Sequence, residues 1–291
     1  MSVKHPIIAI TGSSGAGTTT VKKAFEDTFR RGGYDAAIVE GDSFHRYDRA
    51  EMKVAVAAAE KEGKNLSHFG ADANLFEKLA ELFQQYSETG TGKVRKYLHN
   101  DEEGAPYNQK AGTFTPWEDT PANSDLLFYE GLHGGVVTDT ANVAQWVDLL
   151  VGVVPSVNLE WIQKISRDVA ERGYSPEAVT HTILRRMPDY VEYITPQFTH
   201  SHINFQRVPL VDTSNPFIAR DIPTPDESLV VIRFNKYREL QDYAYLQSMI
   251  HDSFMSRPNT LVVPGGKMGF AMQIIFRPLL ETLMEQRRQA M

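Results

Sequence analysis

The sequence predicts an α/β fold in which a mixed, mostly parallel sheet is flanked by helices. Two observations support this prediction. An apolar run rich in β-branched residues, 7–11, is followed by a helical pattern and then by a second apolar run, 36–40. This strand–helix–strand order is typical of a crossover unit, which places two parallel strands in one sheet. Further apolar runs occur later in the chain and extend the sheet.

Glycines mark the boundaries of the first two strands and of the helix between them. The strand 7–11 runs into a glycine-rich loop, and the helix 18–32 that follows has apolar residues near a period of 3.6. Gly32-Gly33 ends this helix, because glycine directly after a helical pattern is a stop signal. The second strand, 36–40, ends at Gly41-Asp42.

The middle of the chain contains two stretches that differ in composition. Residues 50–86 have a mostly helical composition, whereas residues 96–124 contain three prolines, several Gly, Asn and Asp, and little periodicity. We therefore predict a helical and loop-rich insertion at about 50–124 within one domain that spans 1–291. No internal repeat or low-complexity linker indicates a second domain.

The later elements follow from apolar runs and from punctuation by proline and glycine. Strands are predicted at 125–129 and 149–154, and a helix at 158–172 between Pro155 and Gly173. Three more strands and a terminal helix are predicted at 207–211, 229–234, 260–263 and 271–289. The order of these elements predicts a sheet that mixes parallel and antiparallel strands.

The composition excludes several functional classes. The 291 residues include no cysteine, which excludes disulfides, thiolate zinc sites and cysteine nucleophiles within this chain. The formal net charge of −7 gives no overall electrostatic footprint for nucleic acid. No apolar run approaches the ~18 residues that a membrane span needs, and the N-terminal residues lack the pattern of a signal peptide. We expect a cytoplasmic chain that binds neither nucleic acid nor a membrane.

A glycine-rich loop follows the first strand. The run Gly12-Ser13-Ser14-Gly15-Ala16-Gly17-Thr18-Thr19 has the spacing of the phosphate-binding loop G-x-x-x-x-G-K-[ST], but Thr18 occupies the lysine position. In such loops, backbone N–H groups and the N-terminus of the next helix surround phosphate oxygens, and the final hydroxyl, here that of Thr19, reaches Mg²⁺. We predict a nucleotide site, and the alternative is an ordinary glycine-rich turn.

The missing lysine predicts that a cation elsewhere replaces it, because phosphoryl transfer depends on positioning and on charge neutralisation. Lys164, Arg167, Asp168 and Arg172 have the spacing 0, 3, 4 and 8, which places them on one face of the predicted helix 158–172. This favours a catalytic helix face. The alternative is a solvated charged face in which Lys164 pairs with Asp168.

Two carboxylates follow predicted strands. Asp42 follows the strand 36–40, and Glu130 directly follows the strand 125–129. Ligands of open parallel sheets bind at the carboxyl ends of the strands. One carboxylate near Mg²⁺ would hold the metal, while one near the acceptor hydroxyl would take its proton.

The residues just after Asp42 combine an acid with cations. His45, Arg46 and Arg49 lie within seven residues of it, which suits a small phosphorylated acceptor. The alternative is a polar loop without a binding role.

These motifs together resemble the bacterial phosphoribulokinases of the P-loop phosphoribulokinase/uridine kinase family, over essentially the whole chain. The resemblance is carried by four stretches: Gly12 to Thr20, Glu40-Gly41-Asp42-Ser43-Phe44-His45-Arg46, Leu127 to Gly134, and Asn158 to Lys164. The segments 203–209 and 211–217 match as well. Segments 67–74 and 112–117 are more similar to the branch called probable phosphoribulokinases. A loop without the lysine is itself a feature of the bacterial group.

The resemblance implies a nucleoside-monophosphate-kinase-like fold and ATP-dependent phosphorylation of the 1-hydroxyl of ribulose 5-phosphate. It implies that Asp42 is the general base, that Lys164 meets the transferred phosphoryl group and that Arg167 supports the transition state or the lid. The implied ATP-binding residues are Gly12, Ser13, Ser14, Gly15, Ala16, Gly17, Thr18, Thr19 and Thr20. The implied Mg²⁺ ligands are Thr19, Glu130 and Asp168, and the implied sugar-phosphate contacts are His45, Arg49, Tyr97, His99 and Arg172.

The resemblance also implies regulation and assembly. Bacterial members form homo-oligomers, often octamers, and many respond to NADH as an activator and AMP as an inhibitor. The arginines that we assign to such an anion site are Arg31, Arg185, Arg186 and Arg233.

Two alternatives differ in what they predict. A uridine-kinase-like nucleoside kinase shares the architecture, but its acceptor is neutral and does not need the cationic residues that lie around the acceptor site. A non-catalytic ATP-binding regulatory protein would bind ATP without turnover that depends on an acceptor, and the acid with its neighbouring cations argues against it.

Overall fold

The computed structural model describes residues 3–13, 18–219 and 221–291, and it leaves the side chain of Thr19 undescribed. Four of the predicted phosphate-loop residues, Ser14 to Gly17, therefore lie outside the described residues, as does the hydroxyl of Thr19. Gly12, Ser13, Thr18 and the backbone of Thr19 are described.

The strands and helices alternate in the first half of the chain, as the sequence predicts. The strands are β1 (Ile7–Thr11), β2 (Ala36–Glu40), β3 (Lys93–Val94), β4 (Glu118–Asp119), β5 (Leu126–Gly131), β6 (Leu149–Val154), β7 (Ile203–Pro209), β8 (Ser228–Phe234), β9 (Phe254–Arg257) and β10 (Thr260–Pro264). The helices are α1 (Thr18–Gly32), α2 (Arg49–Lys61), α3 (Phe76–Thr89), α4 (Asp101–Gly104), α5 (Val157–Arg172), α6 (Pro176–Asp189), α7 (Gln197–His200), α8 (Tyr243–Met249) and α9 (Met268–Ala290).

The main sheet has the strand order β2-β5-β1-β6-β7-β8-β10-β9. The pairs from β2 to β7 are parallel, and the pairs from β7 to β9 are antiparallel. Parallel neighbours bring the carboxyl ends of β2, β5, β1 and β6 to one edge, where a ligand site is expected. The predicted mixed, mostly parallel sheet is confirmed.

Both faces of the sheet are covered, which explains why its central strands are continuously apolar. In β1, Ile8 and Ile10 join the core formed with α1, α8 and α9, whereas Ile7 and Ala9 join the core on the other face, formed with α3. The alternation follows from the period of two in a strand. Among the described residues, no helix is both long enough and apolar enough to cross a lipid bilayer.

A helical hairpin carries part of the site. Gly173 ends α5 in the left-handed conformation at φ 68°, which favours glycine. Ser175 then caps α6 by accepting a hydrogen bond from the N–H of Ala178, and Pro176 occupies the first helical position. These local signals fold α5 and α6 back on each other.

The structure refines two of the sequence predictions and adds two elements. The helical stretch 50–86 is two helices, α2 and α3, separated by a loop. The strand predicted at 207–211 is β7, which begins at Ile203, and its early residues are buried next to β6. The helix α6 and the edge strand β9 were not predicted, because their polar residues conceal the apolar pattern that a local reading requires.

Asp148 is a buried carboxyl at the start of β6, and it accepts a hydrogen bond of 2.9 Å from the N–H of Ile7. Burial raises the pKa of Asp148 to about 6, against the lowering effect of that hydrogen bond. The folded chain then holds this proton to a higher pH than the unfolded chain does. The free energy of unfolding is expected to fall as the pH rises from about 4 to about 6, by on the order of 3 kcal/mol.

We therefore expect Asp148→Asn to be more stable than the wild type by about 1–3 kcal/mol above pH 6.5 and to show no gain near pH 4. An asparagine oxygen still accepts from Ile7 and carries no charge to bury. Urea unfolding at pH 4.5 and pH 7.5 measures the difference, with the exposed Asp139→Asn as the matched control. Equal stability changes at both pH values would contradict the prediction.

Candidate functional site

Two carboxylates lie where the sheet edge opens. Glu130 at the end of β5 pairs in register with Glu40 of β2, and Asp42 follows two residues later. The backbones approach closely here, since a Cβ on Gly41 would lie 2.8 Å from the Cα of Gly131. Only glycine fits such an approach. Glu130 on β5 and Asp42 on the turn after β2 are thus held at the ends of adjacent strands.

The described ends of the phosphate loop contact this edge. Gly12 donates its N–H to the carbonyl of Gly131 at 3.2 Å. The hydroxyl of Thr18 hydrogen-bonds the carboxyl of Glu130. Ser13 donates to Glu160 on α5, which ties the loop to the helical hairpin. Thr20, also predicted to bind nucleotide, is exposed on the first turn of α1.

Asp42 lies between two histidines. Its Oδ1 is 3.1 Å from Nε2 of His45, and its Oδ2 is 4.0 Å from Nε2 of His99. Burial opposes the charge on Asp42, but the hydrogen bond from His45 and the charges of the neighbouring histidines outweigh it, so the pKa of Asp42 is lowered. The side chain keeps 43% of its surface exposed. Asp42 is therefore an ionised carboxylate that a ligand can reach.

Four of the five predicted sugar-phosphate residues lie together near Asp42, whereas the fifth, Arg172, contacts Asp168 on α5. Arg49 donates to the carbonyl of His99 at 3.0 Å, and its guanidinium lies 6.0 Å from the ring centre of Tyr97. The rings of Tyr97 and His99 meet edge to face with centres 4.9 Å apart. The structure thus brings together four residues that are up to 54 positions apart, from His45 to His99.

The predicted face of α5 forms a single ionic cluster. Asp168 accepts from Lys164 at 2.5 Å and lies 3.1 Å from a guanidinium nitrogen of each of Arg167 and Arg172. Burial favours the neutral acid, but the bond and charge of Lys164, with the two arginines, lower the pKa of Asp168. Burial also lowers the pKa of Lys164, which its bond to Asp168 only partly offsets. The pairing of Lys164 with Asp168 that the alternative expects is present, but Asp168 is buried, and Arg172 is the member of the cluster with the most exposed side chain. The catalytic role of this face stays a prediction.

The arginines assigned to an effector site lie on three elements. Arg185 on α6 donates to the carbonyl of Leu66 at 2.6 Å. Arg186 is partly buried, and burial with the neighbouring charge of Arg185 lowers its pKa to about 10. Arg31 is in the last turn of α1, and Arg233 is on β8. The single anion site that would hold all four stays a prediction.

Several contacts of the site were missed by the sequence analysis. Asn74 hydrogen-bonds His45 at 2.9 Å, and the ring of His68 stacks on that of His45 with centres 4.6 Å apart. Glu160 accepts from Ser13 and, at 3.2 Å, from Tyr190. All of them come from segments distant in sequence, so no local spacing signals them. In the sequence, these contacts are indicated only by the polar residues in the stretch 67–74, which lies between two helices.

The carboxylates allow a test of whether the site suits Mg²⁺. This ion is usually held by one or two carboxylates together with substrate phosphates and water. Glu130 fits, because it ends a strand at the phosphate loop and burial raises its pKa in spite of the Thr18 hydrogen bond, so a cation there would be favoured. Asp168 fits less well, since both its oxygens already contact cationic side chains.

Comparison with known proteins agrees with this geometry. Residues 7–214 match the family model described as "Phosphoribulokinase / Uridine kinase family". The chain is 66% identical over 291 residues to the chromosomal phosphoribulokinase of Cupriavidus necator, covering 100% of this chain and 99% of the relative. It is 58% identical over 288 residues to the probable phosphoribulokinase of Escherichia coli K12, covering 99% of each chain.

A solved structure shows the same fold. The phosphoribulokinase from Rhodobacter spheroides superposes with a TM-score of 0.91 at 53% identity, covering 99% of this chain and 100% of that one. The resemblance stated from the sequence is confirmed. A family model that spans most of the chain, and relatives matched from end to end, mean that this chain belongs to the phosphoribulokinase/uridine kinase family.

Proposed function

We propose that the chain phosphorylates the 1-hydroxyl of ribulose 5-phosphate with ATP, with Asp42 as the general base. Phosphoribulokinase activity itself is confirmed by the relatives matched over their full length. The observation that supports the role of Asp42 is its geometry: one oxygen faces His45, and the side chain is still 43% exposed at the sheet edge. The residue-level assignments below are our proposals.

Asp42 is suited to take the proton of the sugar hydroxyl. A general base must be ionised at the working pH and within hydrogen-bond reach of the proton it removes. The lowered pKa of Asp42 keeps it ionised at neutral pH. The hydroxyl proton moves to the carboxylate while the oxygen attacks the γ-phosphorus in line, and ADP leaves.

The phosphoryl group needs positive charge around it, because its negative charge is spread over three oxygens in the transition state. Lys164 is the cation that we assign to it, in place of the lysine absent from the phosphate loop. Asp168 orients Lys164 by accepting its hydrogen bond at 2.5 Å. Glu130 and the hydroxyl of Thr19 are the residues that would hold Mg²⁺, with Asp168 as a further ligand if its ionic contacts open. Mg²⁺ there would neutralise charge on the ATP phosphates.

The acceptor phosphate is assigned to the cations beside Asp42. Arg49, with Tyr97 and His99, forms a polar wall next to the base, and Arg172 lies on the ionic face of α5. An arginine fork matches a phosphate with two parallel hydrogen bonds. A neutral nucleoside would leave such cations without an anionic partner, so the uridine-kinase-like alternative has less support.

Arg49 provides a test of substrate class. In a coupled ADP-release assay, we expect turnover with ribulose 5-phosphate in preference to ribose 5-phosphate, xylulose 5-phosphate and uridine. Arg49→Ala is expected to raise KM for ribulose 5-phosphate by about 10- to 100-fold, the loss of one charge-assisted contact. The exposed Arg30→Ala on α1 is the control. Saturation by uridine, with KM unaffected by the Arg49 change, would support a nucleoside kinase instead.

Assembly and control stay predictions. The homo-oligomer, the NADH and AMP effectors and the cytoplasmic location are carried over from the family resemblance. Turnover measured with and without NADH tests the activation.

A further inference from the structure

Asn74 uses every polar atom of its side chain. It is 2% exposed and follows the short helical turn Ala71–Ala73. Its Nδ2 donates to the carbonyls of His68 at 2.9 Å and Gly70 at 2.7 Å. Its Oδ1 lies 2.9 Å from Nδ1 of His45. A backbone bridge also pairs Asn74 with His45, so the two residues are held together.

The partners determine which way the amide points. A carbonyl oxygen only accepts, so the amide atom that faces two carbonyls must be the NH₂ group, and the atom that faces His45 must be the oxygen. Both carbonyls belong to a fixed segment, since His133 contacts the carbonyl of Phe69 at 3.0 Å and Ser67 hydrogen-bonds Asp189. An amide oxygen has no proton to donate. Nδ1 of His45 must therefore carry a proton.

The other nitrogen of the ring, Nε2, faces Oδ1 of Asp42 at 3.1 Å. With one proton already fixed on Nδ1, a neutral ring would present a bare lone pair to a carboxylate. The contact is favourable only when Nε2 is protonated as well, which makes the ring an imidazolium.

We propose that Asn74 is a positioning residue that fixes the proton of His45 on Nδ1, so that His45 supports Asp42 only as a doubly protonated, positively charged ring. This inference rests on the proposed role of Asp42 as the base. His45 then acts as the cation that keeps Asp42 ionised and holds its Oδ1. Oδ2 stays available for the sugar hydroxyl, whose proton passes to that oxygen when the hydroxyl oxygen attacks phosphorus.

The neighbours of the ring are compatible with one positive charge. Among the described residues, the titratable and charged groups that contact His45 or act on it are Asp42, His68, Arg95 and His133. His99 contacts Asp42, and Arg186 acts on His68. Burial lowers the pKa of His68 and of His133 to about 3 each, so both are neutral. Arg95 directs its guanidinium to the backbone carbonyl of His45 at 2.5 Å. Asp42 is the carboxylate partner of the ring.

The first test uses the wild-type chain. Solid-state ¹⁵N NMR of sedimented, ¹⁵N-histidine-labelled protein distinguishes a protonated from a bare ring nitrogen, and His45→Gln assigns the signals. We expect Nδ1 of His45 to carry a proton in the folded chain, whatever the charge of the ring. A neutral ring protonated on Nε2 alone would overturn the proposal. This result does not depend on whether Asp42 is the base.

The second test is the pH profile of kcat/KM in Asn74→Ala. Without the amide, a neutral ring can carry its single proton on Nε2 and still donate to Asp42. We therefore expect the alkaline limb of the profile to move up by about one pH unit or more relative to the wild type. A merely structural role would lower activity at all pH values and leave the shape unchanged, and that outcome would overturn the proposal.

Asn259→Ala is the matched control. Its amide donates to the carbonyl of Phe234 at 3.0 Å and its oxygen contacts Thr260, in a hairpin that we have not placed in the site. The alkaline limb of its pH profile should coincide with that of the wild type.

If Asn74→Ala does not fold, the NMR measurement on the wild type decides. If Asp42→Asn retains turnover while Nδ1 of His45 is protonated, the role of Asp42 fails and the positioning by Asn74 stands.

Discussion

Asp42→Asn is expected to lower kcat by about 10³- to 10⁴-fold, the upper part of the range for loss of a general base. An amide has the shape of the carboxylate but does not accept the hydroxyl proton at neutral pH. The hydrogen bond to His45 at 3.1 Å can be retained by the amide oxygen, so the fold should be preserved. The measurement is kcat from coupled ADP release with ribulose 5-phosphate, together with the Kd of ATP by calorimetry, which should change by less than about threefold.

The control for this variant is Asp72→Asn, an exposed acid on the segment next to the site. It removes one negative charge from the same region without touching the proposed base, so kcat should stay near the wild type. A kcat for Asp42→Asn within tenfold of the wild type would contradict the assignment and direct attention to another carboxylate at the sheet edge.

Lys164→Met is expected to lower kcat by about 10²- to 10³-fold while ATP binding stays within about tenfold. The methionine keeps the length of the aliphatic stem and removes the ammonium group. Asp168 still contacts Arg167 and Arg172, so α5 should remain intact. The charge that is lost acts mainly on the transition state, and for this reason kcat falls more than binding does.

Two further variants separate a catalytic charge from a structural one. Lys164→Arg keeps a cation and should recover part of kcat, whereas the exposed Lys61→Met on α2 should leave kcat unchanged. Single-turnover rates measured after rapid mixing would locate the loss in the chemical step. Wild-type turnover in Lys164→Met would mean that the missing loop lysine is replaced elsewhere.

Much of the fold could be predicted from the sequence. The strands β1, β2 and β6 and the helix α1 were predicted with the bounds that the structure has, because an apolar run next to glycine carries its own boundaries. The helix α6 was missed although Ser175 and Pro176 mark its start, because its apolar residues form only a weak periodic pattern, and the short edge strand β9 depends on pairing with β10.

Part of the site could be predicted from the sequence, and part of it required the tertiary structure. The face of α5 was predicted from spacing alone, because side chains three and four positions apart on a helix are neighbours, and the ionic cluster around Asp168 confirms that they meet. The contact of Asp42 with His99 needed the fold, since the turn after β2 and the loop that carries His99 meet only in three dimensions, whereas His45 lies three residues from Asp42 at the end of the same turn. The catalytic and binding roles of these residues stay predictions.

The sequence by itself determined the family, the sheet type, the phosphate loop without a lysine and the acids at the carboxyl ends of β2 and β5. Each of these depends on residues close together in the chain, or on a match along its whole length. Only the tertiary structure decided which oxygen of Asp42 faces His45 and which nitrogen of His45 is tied to Asn74. Proton positions depend on hydrogen-bond partners from distant segments, and no sequence pattern specifies how those segments meet.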